Sequence, residues 1–168
     1  MKKTFKFMMM ALTTIMMSVG FAACSSDDDG YNGGSDNGYY ALSIDLSYSE
    51  DLLSLMDITV TYTDANGQDK TEAVTSTTFK KQITYSSKPS VIKYTLNRTR
   101  KSTIPDKDKF DITIAESIKP LLIKNGASYV VSDIKERNTS AKGVKKEELD
   151  RAFEKLRLTT PLSGEYRP

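Results

Sequence analysis

From Ala41 onward, apolar side chains recur at alternate positions in one short stretch after another, a period that suits a strand with one buried face. Leu42, Ile44, Leu46 and Tyr48 share one face, and Ala41, Ser43, Asp45 and Ser47 take the other. Ile58, Val60 and Tyr62 point inward by the same logic, with Thr59, Thr61 and Thr63 outward. The run Asp64-Ala65-Asn66-Gly67-Gln68-Asp69 then supplies turn chemistry, because Asn-Gly tolerates positive φ. Thr71 to Phe79 is expected to return as the hairpin partner. Phe79/Lys81/Ile83/Tyr85, Ile92/Tyr94/Leu96 and Phe110/Ile112/Ile114 continue the alternation, and Leu121–Lys124 and Ala127–Ile134 flank a second hairpin signal at Asn125-Gly126. About seven to eight short strands, each with one apolar face, call for two packed antiparallel sheets, a mainly β sandwich.

One segment has a different period. Between residues 144 and 157, Leu149, Ala152, Phe153 and Leu156 fall within an arc of about 100°, a helix face. Glu147 and Glu148 suit the first turn, Glu147 and Arg151 form an i,i+4 pair, and Leu158 points away from the stripe, so the helix is expected to end before it. A shorter helical turn is expected over Glu50 to Met56, where Leu52, Leu53, Leu55 and Met56 crowd between two strands.

Composition excludes several kinds of chemistry. With no His, Ser-His-Asp and Cys-His pairs and His-containing zinc sites are out of reach, and the single Cys cannot close an intrachain disulfide or build a thiolate cluster. Lys2, Lys3 and Lys6 lie in the first 23 residues, which hold no acid, so the rest of the chain carries 21 basic against 22 acidic residues. That balance gives no general pull toward nucleic acid, and nothing points to a cofactor or a metal.

The basic start is followed by an uncharged apolar stretch, Phe7 to Ala23, broken only by Thr13, Thr14, Ser18 and Gly20. This is the layout of a secretory signal over residues 1–23, and it is at the short edge of the roughly 17–25 residues a spanning helix needs. It ends in Phe21-Ala22-Ala23-Cys24, which resembles a bacterial lipobox with Phe in place of the usual Leu. The following Ser25, Ser26, Asp27, Asp28 and Asp29 resemble the acidic export signal of surface-exposed lipoproteins of Bacteroidetes. The resemblance implies a diacylglyceryl thioether on Cys24 with further N-acylation, palmitate among the fatty acids, and an outer-membrane anchor facing outward or, alternatively, toward the periplasm. Residues 24–38 hold only Cys, Ser, Asp, Gly, Asn and one Tyr, too little apolar surface to order themselves, and are expected to be a disordered tether. The folded domain is expected over 39–168. Its strand Asp57–Asp64, which leads into an Asn-Gly turn, resembles the small immunoglobulin-like domains of Bacteroidetes lipoproteins, and so implies an immunoglobulin-like β-sandwich.

No candidate site matches a complete motif. Asp64, Asn66 and Asp69 invite calcium, but Gly67 stands fourth where an EF-hand loop needs its Gly sixth, and Thr75 stands where the bidentate Glu belongs, so hairpin chemistry is the better reading. Asp106, Asp108 and Asp111 are interleaved with Lys107 and Lys109, which argues against a metal. Arg98, Arg100, Lys101, Lys107 and Lys109 form the densest basic stretch; an anionic glycan or lipid headgroup is the functional reading and a solvated loop the favoured one. Lys142, Lys145 and Lys146 are read in the same way. Tyr48, Tyr62, Tyr85 and Tyr94 align with buried faces, leaving Tyr39, Tyr40, Tyr129 and Tyr166 as exposed platforms for a sugar ring. The expectation is a lipid-anchored cell-envelope binding or structural module without catalysis, its partners the membrane and a glycan or an envelope protein. An accessory subunit of an outer-membrane assembly is the alternative, and a carboxylate-based hydrolase comes third.

Overall fold

The computed structural model describes residues 38–168. The expected signal segment, the Cys24 lipidation site, the Ser25–Asp29 run and the tether up to residue 37 lie outside the described residues. The described chain forms β1 (Tyr39–Tyr48), α1 (Glu50–Leu55), β2 (Met56–Thr63), β3 (Asp69–Ala73), β4 (Thr78–Tyr85), β5 (Ile92–Arg100), β6 (Lys109–Lys124), β7 (Ala127–Val130), β8 (Lys135–Lys145), a 3-10 turn (Lys146–Glu148), α2 (Leu149–Lys155) and β9 (Leu162–Tyr166). All pairings are antiparallel. One sheet runs β4-β1-β6-β7, with β8 also on β6, and the other runs β3-β2-β5-β9. The protein is a mainly β sandwich of two antiparallel sheets.

The alternating faces meet between the sheets as expected. Leu42, Ile44 and Leu46 of β1 and Ile112, Ile114 and Ile118 of β6 pack in one core with Ile58 and Val60 of β2 and Ile92 and Leu96 of β5. Ser49 caps α1 by accepting the Leu52 N–H on its hydroxyl, and α1 buries Leu52 and Leu55.

Four sequence expectations are corrected. Thr71–Phe79 is not one returning strand: β3 pairs with β2, the chain changes sheets at residues 74–77, and β4 pairs with β1. Val74, 4% exposed, is buried where the chain crosses, and its N–H donates to the Ile58 carbonyl. The strands expected at 110–114 and 121–124 are one strand, β6, because alternation continues through Glu116, Ile118 and Pro120. Pro120 lies where the neighbour of β6 changes from β8, paired up to Ile118, to β7, paired from Leu121. Its carbonyl accepts from Val131 on that side, so its missing N–H falls in the gap and no ladder bond is lost. Thirdly, β8 and β9 were not expected, and β7 stops at Val130, short of the expected Ile134. Finally, the helix expected over 144–157 is shorter. Val144 and Lys145 complete β8, and α2 covers only Leu149–Lys155. Arg157 adopts φ 54° and turns the chain, so Leu158 reaches the core from outside the helix, fully buried.

Candidate functional site

The start of β1 and the ends of β4 and β6 converge, since Tyr40 pairs with both Tyr85 and Leu122. Between them opens a cleft of about 480 Å³, floored by Tyr85 and Leu122 and rimmed by Tyr39, Tyr40, Ser86, Ser87, Lys88 and Lys124. Alternation explains its walls. Tyr40 and Tyr85 continue the inward faces of β1 and β4, while Tyr39 continues the outward face and is 45% exposed. Tyr85 donates its hydroxyl to the Thr63 carbonyl at 2.8 Å, and burial pushes its pKa up. Tyr40 is partly buried and its ring lies 6.2 Å from that of Tyr166, tilted by 43°. Burial, then the neighbouring Tyr40, raises the Tyr166 hydroxyl.

Of the four tyrosines expected as platforms, Tyr39 and Tyr129 are exposed, while Tyr40 and Tyr166 pack against the core. Tyr48, Tyr62, Tyr85 and Tyr94 are buried, as their alternation requires. The cleft offers one open ring face, hydroxyl groups and ammonium groups, which suits a polar or anionic ligand more than an apolar one. Among the described residues, no Asn or Asp lines it.

The most connected polar cluster is elsewhere and was missed in sequence. Arg98, expected in a solvated basic loop, lies on β5 with its side chain fully buried against Glu116 of β6. Its Nε donates to Glu116 Oε1 at 2.9 Å, one terminal nitrogen donates to Oε2, and the other donates to the Thr160 carbonyl at 3.2 Å. Tyr48 donates its hydroxyl to Glu116 Oε1 at 2.8 Å. Burial first, and then the Glu116 charge, holds the Tyr48 pKa far above the ordinary phenol value. Arg137 of β8 approaches with Nε 3.9 Å from Glu116 Oε2, and its buried Nη1 has no protein partner. Burial, then the like charge of Arg98, lowers the Arg137 pKa. The Arg98 and Glu116 side chains are wholly enclosed, so this cluster ties the two sheets together without presenting a reactive group. The alternation itself carried the only signal: Arg98 follows Leu96, and Glu116 follows Ile114, at core-facing positions.

The remaining candidates are engaged locally. Asp64 Oδ1 accepts from the N–H groups of Asn66 and Gln68, both at 2.9 Å, so this carboxylate organises the hairpin, with Gly67 at φ 79°. Asp111 accepts from the Gly143 N–H and Asp106 faces Lys146. Arg100 pairs with Asp150, Lys101 with Asp57 and Lys107 with Asp51. Lys109 and Lys142 are exposed, and Lys145 faces Glu147 at 3.9 Å. Among the described residues no group of His, Cys, Asp or Glu could hold a metal ion.

Among the described residues three carboxylates have shifted pKa values, all downward. Lys81 and then Tyr62 hydrogen-bond Glu72 and bring it to about 2. Burial works against Asp51, but hydrogen bonds from Lys107 and the Asp111 N–H hold it low. A hydrogen bond from Lys119 lowers Glu136. These directions suit ion pairs; a general acid needs the opposite shift.

In comparison with known proteins, no family model, no curated protein and no solved structure matches the chain.

Proposed function

We propose that the protein is a lipid-anchored cell-envelope binding module that faces outward from the outer membrane and engages its ligand at the cleft beside Tyr39. The carrying observation is the position of Cys24, the chain's single Cys, directly after an uncharged apolar stretch with a basic start. Lipidation needs a thiol at that position, and two or more acyl chains give stable anchoring. The cleft supports the binding half of the proposal. Its open tyrosine ring, Ser86, Ser87 and Lys88 are groups that stack on and hydrogen-bond a saccharide or a similar polar ligand.

Cys24→Ser tests the anchor. The variant is expected to lose radiolabelled palmitate and to move from the membrane to the soluble fraction. Retention of Cys24→Ser in the membrane would overturn the proposal.

A further inference from the structure

Four large apolar side chains stand exposed among the described residues, Tyr39, Tyr129, Val130 and Ile134, and the fold brings all four to one sheet. Tyr39 pairs with Ile123, and Leu121 pairs with Val130. Because Leu42 of β1 and Ile118 of β6 point into the core, Tyr39 and Val130 lie on the opposite, outer face, on either side of the better-buried Leu121 and Ala41. Ile134 lies just beyond, where the chain enters β8. Lys119 shares the outer face of β6 but is paired with Glu136 at 3.1 Å, and Lys88 and Lys124 stand at the rim of the neighbouring cleft. Tyr129 projects from the other face of the same edge strand.

The chain preceding the described residues joins this end at Gly38, next to Tyr39. Cys24 stands 14 residues earlier. A lipid there is tied to the patch by at most about 50 Å of extended chain, taking about 3.6 Å per residue. Confinement within that radius gives a local concentration in the millimolar range, enough for a few apolar side chains to engage a surface they would not hold when free. Two half-exposed side chains fall short of the roughly 800 Å² per partner of a stable protein interface. Tyrosine, apolar at the ring and polar at the tip, suits the headgroup zone of a bilayer, and lysines suit its anionic lipids.

We infer that the outer face at Tyr39 and Val130 rests on the bilayer beside the anchor, with Lys88 over anionic headgroups and the cleft opening at headgroup level. This rests on the lipid-anchor reading above.

The chain has no Trp, so Tyr39→Trp introduces a single fluorescent probe. The control is Thr103→Trp, at an exposed position between β5 and β6 at the other end of the sandwich. Each full-length variant is expressed in a lipoprotein-processing bacterium, extracted, and reconstituted into phosphatidylcholine–phosphatidylglycerol vesicles containing acyl-chain-brominated lipid. The Tyr39→Trp probe should shift to the blue and lose half or more of its emission, while Thr103→Trp keeps its own. Flotation with the vesicles but no quenching of Tyr39→Trp, or equal quenching of both probes, would overturn the inference and leave the anchor standing. A Tyr39→Trp probe unquenched in vesicles but blue-shifted in native membranes would overturn it in favour of an envelope protein. Failure to float, with an unmodified Cys24 thiol by mass, would overturn the anchor and the inference with it.

Discussion

Replacing Glu116 with Gln keeps the shape of the side chain and removes its charge, which makes it a sharp probe of what joins the two sheets. In the native protein Glu116 takes hydrogen bonds from Tyr48 and from two nitrogens of Arg98, with Arg137 close by. Glu116→Gln leaves Arg98 buried without its counter-charge and sets an amide N–H₂ either against the Arg98 guanidinium, which only donates, or against the Tyr48 hydroxyl, which must then turn to accept. Breaking one side of a buried ion pair costs about 3–5 kcal/mol. Replacing both partners with apolar groups of similar volume removes the desolvation penalty along with the attraction, so Arg98→Met with Glu116→Leu should cost less than either single change. Urea unfolding of residues 38–168, followed by far-UV circular dichroism, measures all four corners of the cycle. A loss below about 1 kcal/mol for Glu116→Gln, or a double variant as unstable as the summed singles, would refute the view that the pair is closed off from water.

Acid should test the second tie between the sheets. Glu72 of β3 holds Lys81 of β4 at 2.7 Å, and its pKa falls from 4.5 to about 2. The stabilisation it provides is therefore complete above about pH 4.5 and is lost as the pH falls toward 2. The carboxylate is 24% exposed, so water screens the pair, and Glu72→Gln should cost about 1 kcal/mol at neutral pH. The gap between variant and wild type should close by pH 2; a gap that persists there would contradict the assignment. Gly164 faces Tyr94 across β5 and β9, and a methyl group there would run into the ring and hydroxyl of Tyr94. Gly164→Ala should destabilise by about 1–3 kcal/mol in the same unfolding assay, and an unchanged midpoint would show that the ring yields freely. Asp64→Ala removes two acceptor contacts in the hairpin and should cost about 1 kcal/mol. Millimolar calcium should leave the melting temperature of the wild type unchanged, and a calcium-dependent rise would revive the metal reading of that turn.

The sandwich was legible because alternation is strict where both neighbours of a strand belong to the core, as in β1, β2 and β5. It failed at β8, whose inward positions include Lys135, Arg137 and Thr139; their apolar stems and one buried charge cover the edge of the core without a hydropathy signal. The change of sheet at residues 74–77 was also hidden. β3 and β4 carry similar polar alternation, and only the tertiary pairing assigns them to different sheets. Arg98 misled for the opposite reason. Its neighbours Arg100 and Lys101 give a basic stretch, yet strand geometry sends Arg98 inward and Arg100 to the rim. The cleft was half visible: Tyr39 was singled out in the sequence, but Ser86, Ser87 and Lys88 meet it only because β4 ends beside the start of β1.

Protease treatment of intact cells expressing the full-length protein, with a periplasmic protein as the control for a sealed outer membrane, tests the anchored, outward-facing placement most directly. A surface-anchored protein disappears from intact cells while the control survives. Full protection until the outer membrane is opened would contradict the placement and turn the search for a ligand to the periplasm.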